Sequence, residues 1–356
     1  MRLSWLLACV PVTIALHWIR PEMHTLTFIL ACVSVIPLAG WMGRATEHLA
    51  ERTSESVGGL LNATFGNAAE LIIAIVALRR GMLDIVKASL TGSIIGNVLL
   101  VLGAAFLTGG LRHREQRFSG AGARAQATLL SLAAIALILP AVFHHAAPES
   151  GAAREEALGV AISLVLLTAY ALGLIFSLRT HHHYFDGGRH EPASGATWSV
   201  GRSLLVLGAA TAMVAWISEI LVATVEHAGH ALGMTRVFVG VIVVAIIGNA
   251  AEHSTAILMA MKNRMDLSLG IAIGSSIQVA LFVAPVLVLL SHVIAPAPMD
   301  LLFTLPEVVG VALAVAITGQ VVGDGESNWL EGVLLLAVYL IVAIAFYFLP
   351  ETAAAH

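Results

Sequence analysis

Apolar runs of about 20 residues, the length that carries a helix across a bilayer, follow one another along the whole 356-residue chain. They lie at 3–19, 25–43, 57–79, 86–110, 125–143, 156–178, 203–225, 236–261, 267–292, 301–322 and 329–349. Short polar stretches separate them, among them Arg79-Arg80-Gly81, 112–117, 144–156, 179–191, 262–266 and 323–327. The pattern predicts an all-α polytopic membrane protein of eleven transmembrane helices. The first run follows a single early Arg, but no small-residue cleavage site comes after it, so it reads as a helix and not as a signal peptide.

One five-residue string occurs twice. Gly66-Asn67-Ala68-Ala69-Glu70 returns 182 residues later as Gly248-Asn249-Ala250-Ala251-Glu252. The register then holds without a gap: Asp84 aligns with Asp266, Gly92-Ser93 with Gly274-Ser275, and Leu99 with Leu281. Between 66–103 and 248–285, 13 of 38 positions agree, and Asn, Glu, Asp and Ser are among them, so shared apolarity does not explain the match. The motifs fall on the third and eighth predicted helices, five crossings apart. An odd number of crossings inserts the two copies in opposite directions. Inverted-topology repeats of this kind build secondary transporters, with the substrate site near mid-membrane.

Composition agrees with the pattern. Hydrophobic residues make up 58% of the chain and charged residues 11%, against about a quarter charged in soluble proteins, and the mean hydropathy is +0.91. A soluble enzyme, a secreted disulfide scaffold and a disordered chain are excluded. A net charge of -4 gives no reason to expect nucleic acid as a partner. Cys9 and Cys32 both sit in apolar runs and read as buried free thiols. Arg accounts for all the basic residues except Lys87 and Lys262, a bias that suggests a GC-rich bacterial genome and hence the bacterial inner (plasma) membrane. Counted on alternate sides, 12 Lys and Arg lie on the side of the amino terminus and 6 on the other. The positive-inside rule then places the amino terminus in the cytoplasm and the carboxyl terminus, at His356, outside. The connection 179–202, with His181-His182-His183 and then Asp186, Arg189, His190 and Glu191, divides the chain on the cytoplasmic side. It reads either as a solvated linker or as a metal or pH sensor.

The residues that carry chemistry are Glu70 and Glu252, each placed well inside its predicted helix. An acid at mid-membrane costs about 2.5–3.5 kcal/mol on insertion scales, so two at equivalent repeat positions point to function. Asn67 and Asn249 stand three residues before them and share their helix faces. Gly66 and Gly248 permit close helix approach or local unwinding. Two carboxylates and two amides make a hard, oxygen-only site, which suits calcium better than magnesium or a transition metal. Ser93, Ser275, Ser276 and Gln278 on the following helices are further oxygen donors. Asn97 is another, although Val279 takes its place in the second copy. The same carboxylates suit protons, since a nearby divalent cation favours their charged form and desolvation their neutral one.

Other polar residues have milder readings. His253 lies about 100° round the helix from Glu252 and is expected to pack or bond between helices. Asp84 and Asp266 are expected to cap helix starts. Glu219 and Glu226 share a face at the end of the seventh helix, as a cation-attracting vestibule or as snorkelling interfacial groups. Glu47, Glu51 and Glu55 read as a solvated stripe, and Glu307 and Glu331 as interfacial residues at helix starts. No enzyme motif is present: 226–230 holds His-x-x-His without the Glu of a zinc protease, and no phosphate-binding loop occurs. The chain reads as no enzyme and as having no cofactor, only transported ions.

At the paired motifs the chain resembles the calcium/proton exchanger family of the calcium/cation antiporter superfamily. The resemblance rests on both Gly-Asn-Ala-Ala-Glu strings, on the stretches 92–103 and 274–283 that follow them, and on Gly-Glu-Ser-Asn-Trp-Leu-Glu-Gly at 325–332. It implies an extra amino-terminal helix (1–22) and two inverted five-helix repeats (23–178 and 203–356) joined by the linker at 179–202. It also implies that Glu70 and Glu252 are the essential cation ligands and proton carriers, with Asn67, Asn249, Ser93, Ser275 and Gln278 supporting or gating. Sodium/calcium exchangers carry a Pro before the Glu, which this chain lacks, and that shifts the counter-ion toward the proton. The long acidic central stretch of some members is missing here. The expected function is Ca2+/H+ antiport in a lipid bilayer, with homo-oligomerisation left open. The alternatives are Na+ or K+/H+ antiport on the same carboxylates and, less well supported, a cation channel.

Overall fold

The computed structural model describes residues 3–53, 61, 65–147, 151–184 and 198–350. Glu55, Val57, Gly58, most of 57–64, the centre of the 179–202 connection (Asp186, Arg189, His190 and Glu191) and His356 lie outside the described residues. The helices in chain order are α1 (Trp5–Ile19), α2 (His24–Ala50), α3 (Ala68–Arg79), α4 (Leu83–Gly110), α5 (Gly120–Ala146), α6 (Ala152–Thr180), α7 (Val200–Ala231), α8 (Arg236–Gly248), α9 (Ala250–Met261), α10 (Met265–Ile294), α11 (Leu305–Val321) and α12 (Trp329–Phe348). Seven of them are long and apolar enough to span a membrane, and eight such spans result if α8 and α9 count as one bent unit. α1 and α11 are shorter apolar helices.

Local sequence explains where the helices begin. Ser119, Ser199 and Thr235 accept bonds from the first-turn amides of α5, α7 and α8. Thr304 with Glu307 and Asn328 with Glu331 form reciprocal capping boxes at α11 and α12. Glu331 therefore takes its expected place at a helix start. Glu307 does too, but it is 2% exposed and its Oε1 also accepts from Thr91 Oγ1 at 3.1 Å. The expectation that Asp84 and Asp266 cap their helices is corrected. α4 and α10 begin one residue before each of them, and neither helix has a side-chain cap bond. Asp266 instead accepts the backbone N–H of Ser119 at 2.7 Å, tying α10 to the start of α5.

Two loops that the sequence marks only as polar meet in a two-stranded antiparallel ribbon, β1 (Gln116–Arg117) with β2 (Glu326–Ser327). Buried Gln116 donates from it to Ala260 O and Asn263 Oδ1 at the end of α9.

α4 is the most enclosed long helix, whereas α6 and α12 mostly face outward. α2 and α7 share the most extensive helix–helix contact. α4 crosses α8 where Gly92 lies against the Val241 backbone and Gly240 against Ala88 and Ile85. Small residues at such a crossing let two backbones approach closely, which is how helices associate where lipid offers no hydrophobic drive. Further along α4, Gly103 packs on Gly332 and Leu335 of α12.

α4 is pinned at its start as well. Lys87 Nζ bonds Asp300 Oδ1 at 2.5 Å and Leu302 O at 2.9 Å. The Lys87 side chain is 16% exposed and that of Asp300 33%. Removing one partner of such a half-buried pair costs about 1–3 kcal/mol. Lys87→Met is therefore expected to lower the thermal midpoint of the purified protein by several degrees, read by intrinsic fluorescence in detergent. An unchanged midpoint would show that the pair is solvated.

Candidate functional site

The predicted helix over 236–261 is broken at Asn249, where α8 and α9 meet at 61°. Asn249 leaves helical geometry at φ -96, ψ 2, and Asn67 at φ -96, ψ 24 does the same ahead of α3. Glu252 and Glu70 therefore stand not well inside continuous helices, as the sequence suggests, but in the first turns of α9 and α3. The correction has a physical consequence. A helix amino terminus carries partial positive charge and unsatisfied N–H groups, which favour a carboxylate nearby. Broken helices that present these ends at mid-depth are how many transporters hold ions.

Both asparagines occupy N-cap positions, yet neither side chain caps its own helix. Each reaches across to the other half of the chain. Asn67 Nδ2 donates to Gln278 Oε1 at 2.7 Å, and its Oδ1 accepts from Ser275 Oγ at 2.8 Å. Asn249 Nδ2 donates to Ser93 Oγ at 3.0 Å and to Ala245 O at 2.9 Å. Ser93 and Ser275 are equivalent in the repeat, so the two Asn–Ser bonds are reciprocal. The symmetry ends at the additional groups. Asn97 Nδ2 donates to Ser275 Oγ at 3.1 Å, and His253 Nε2 donates to Asn97 Oδ1 at 3.0 Å. That is the interhelical role expected of His253, although its link to Asn97 needs the fold and has no signal in the sequence. Ser276 bonds to backbone carbonyls of Ile94 and Ala272, so it holds α10 against α4 and does not face the acids.

Gly66 occupies the turn before Asn67. Gly248 has a visible purpose: a Cβ built on it would fall 2.9 Å from Glu70 Cγ. Glu70 thus packs onto the α8–α9 break, and the two carboxylates are close enough for their charges to interact. Three buried oxygens here have no hydrogen-bond partner among the described residues: Glu70 Oε1, Glu252 Oε2 and Asn249 Oδ1. Unpartnered buried acceptors are rare and costly, and this set is made only of oxygen.

Polar spacing is altered nearby by wide, π-type turns at Gly96–Val101 and Val279–Val283, equivalent stretches of α4 and α10. Asn97 lies within the first, and Gln278 directly precedes the second. Such turns rotate the following side chains and recur at functional sites. A third runs over Val239–Val244, where α8 meets Gly92.

The remaining candidates lie elsewhere. Glu219 pairs with Arg80 at 2.8 Å and Glu226 with Arg236 at 2.9 Å. A small cavity beside the second pair is lined by Val225, His230 and Met234. Glu51 pairs with His48, and Cys9 and Cys32 are free thiols. Among the described residues no group of three or more His, Cys, Asp or Glu side chains converges to hold a metal, the His181–His183 stretch included.

Apolar spans around buried acids at helix breaks define a membrane transporter of ions. The family model described as "Sodium/calcium exchanger protein" matches residues 23–179 and 202–348. A "Ca(2+)/H(+) antiporter" of Aphanothece halophytica is 45% identical, aligned over 97% of this chain and 96% of its own. The "Ca(2+)/H(+) antiporter ChaA" of Bacillus subtilis is 45% identical over 94% of each. Among solved structures, native YfkE superposes with a TM-score of 0.85 at 43% identity, covering 98% of this chain and all of that one. The H+/Ca2+ exchanger CAX shares the fold at a TM-score of 0.68 and 18% identity, over 99% of this chain and 93% of its own. The chain belongs to the sodium/calcium exchanger family, as a transporter and not an enzyme.

Proposed function

We propose that this protein is a secondary antiporter that moves Ca2+ out of the cytoplasm in exchange for protons, both competing for Glu70 and Glu252. The observation that carries the reading is the trio of buried, unpartnered oxygens on Glu70, Glu252 and Asn249. Acceptors without donors are satisfied by a cation or by protonation. Two carboxylates balance one divalent ion or two protons, so occupancy by one expels the other. Calcium accepts six to eight oxygens in flexible geometry, and the asparagine, serine and Gln278 oxygens nearby extend the ligand set. Relatives that bear the name Ca(2+)/H(+) antiporter at 45% identity support the choice of ions.

The extra helix at 1–22 and the inverted halves 23–178 and 203–356, joined at 179–202, provide the means of alternating access. The reciprocal Asn67–Ser275 and Asn249–Ser93 bonds and the equivalent wide turns support it. Here both amide atoms of Asn67 are engaged while the Asn249 carbonyl is left over. Exchanging those roles turns the site from one side to the other. The amino terminus is cytoplasmic in this reading, and the location is the bacterial plasma membrane.

Purified protein in liposomes with an imposed pH gradient tests the reading. Calcium is expected to move toward the more acidic side and to stop when a protonophore collapses the gradient. Sodium or potassium uptake in place of calcium would leave the carboxylate mechanism and replace the substrate. Calcium flux indifferent to the gradient would point to a channel.

A further inference from the structure

Three helix ends meet at one face of the molecule, where α5 and α10 finish and α6 begins. His144 lies in the last turn of α5 and His292 in the last turn of α10, while Glu155 lies in the first turn of α6 with Glu156 next to it. Carboxyl ends of helices favour cations and amino ends favour anions, so each group stands where its helix supports the charged form. His144 Nδ1 meets Glu155 Oε1 at 2.7 Å, and His292 Nε2 meets Glu156 Oε1 at 2.9 Å. The first bond ties α6 to α5, and the second ties it to α10.

The two bonds differ in the protons they need. His292 Nδ1 also faces the Val288 carbonyl at 2.9 Å, and a carbonyl only accepts, so Nδ1 carries a proton. A neutral imidazole has a single N–H. With that proton on Nδ1, Nε2 would turn a bare lone pair toward a carboxylate oxygen. The His292–Glu156 bond therefore requires one more proton, on the ring or on the carboxyl. His144 is not bound in this way. Its Nε2 has no bond among the described residues, so the neutral ring with its proton on Nδ1 still donates to Glu155. Water reaches the second pair, for the His292 side chain is 33% exposed and that of Glu156 43%.

The other charged groups around this junction come from α3, α4, α5 and α6. Arg80 is paired with Glu219, and Lys87 with Asp300. Arg79 and Arg154 keep their charge at every pH of interest. Only His144 and His145 belong to the side-chain type that titrates near neutrality, and His145 Nδ1 donates to Ala141 O within its own helix.

We propose that His292 and Glu156 form a proton-dependent latch between α10 and α6. It is closed while the pair holds its extra proton and opens when that proton leaves. The tie is thus present on the acid side of the imidazole range and is lost as the pH rises through it. His144–Glu155 stays bonded throughout, so α6 remains on α5 and only the end of α10 is released. α10 is the helix that carries Ser275 and Gln278, and α6 packs along it where Tyr170 stacks on Phe282 at 5.4 Å. The proposal does not depend on which ions the protein carries.

The test is a double-mutant cycle on the full-length protein in neutral detergent, read as thermal midpoints at pH 5.5 and pH 8.5. His292→Ala, Glu156→Ala and the double variant are expected to show a coupling of about two degrees at pH 5.5 and none at pH 8.5. The matching cycle of His144→Ala and Glu155→Ala should keep a coupling at pH 8.5. His292→Lys, charged at both values, should stay coupled to Glu156 at both. A His292–Glu156 coupling that is absent at pH 5.5, or equal at the two pH values, would overturn the latch. Loss of both couplings together at pH 8.5 would reject the difference in proton count. If the variants do not fold, hydrogen exchange of the wild type decides. After correction for intrinsic exchange rates, amides 291–294 should be less protected at pH 8.5 than at pH 5.5, and equal protection counts against the latch.

Discussion

Glu70→Gln and Glu252→Gln are each expected to lower calcium transport by at least about 1,000-fold while leaving the protein folded. Glutamine keeps the volume and hydrogen-bonding capacity of a protonated glutamate, so the neutral state of the site survives. It cannot supply the second negative charge. A divalent ion in a buried site with one carboxylate keeps an uncompensated charge, and an unpaired buried charge costs several kcal/mol. At 1.4 kcal/mol per tenfold, about 4 kcal/mol gives the stated loss. The measurement is gradient-driven calcium uptake by each variant in liposomes, with size-exclusion profiles as the fold control. Uptake within tenfold of wild type in either variant would remove that glutamate from the site.

The second large effect concerns the crossing of α4 and α8. A Cβ on Gly92 would fall on the carbonyl oxygen, Cα and carbonyl carbon of Val241, all backbone atoms that no rotamer change can move aside. Gly92→Val is therefore expected to force the helices apart at a cost of about 3 kcal/mol, the upper end for overpacked interiors. Ser93, the next residue, would be drawn away from Asn249, to which it is bonded at 3.0 Å. A fall of roughly ten degrees in thermal midpoint and loss of most transport should appear together. Full stability with full transport would mean that the two helices do not approach this closely.

The site's cast was legible in the sequence because its polar members stand out against apolar surroundings and recur in register. Glu70, Glu252, Asn67, Asn249, Ser93, Ser275 and Gln278 could all be named from the chain. What they do to one another could not. Asparagine side chains at N-cap positions ordinarily bond to their own helices, and only the fold shows that both reach across to the other half. Gly248 signalled either close helix approach or local unwinding, and the break at Asn249 realises the second; hydropathy alone reads 236–261 as one helix because apolar residues continue on both sides. Placing Glu70 and Glu252 in first turns sets each carboxylate beside the partial positive charge of a helix amino terminus. The capping expectation for Asp84 and Asp266 failed on a boundary shift of two residues, since Met82 and Arg264 hold the N-cap positions. Lys87, Gln116 and Glu307 give no hint of the distant partners they find, which lie more than 140 residues away in the chain.

The central claim, one site contested by calcium and protons, is tested most directly by measuring calcium affinity of the purified protein as a function of pH. Ligand carboxylates must be deprotonated, so binding a cation releases protons. On the acidic side, the apparent dissociation constant should rise by between about 10- and 100-fold per pH unit, the limits for one and two displaced protons. Isothermal titration in buffers of different ionisation enthalpy should register the released protons directly. A calcium affinity that stays flat as the pH falls from 8 to 5, with no proton released, would contradict the account.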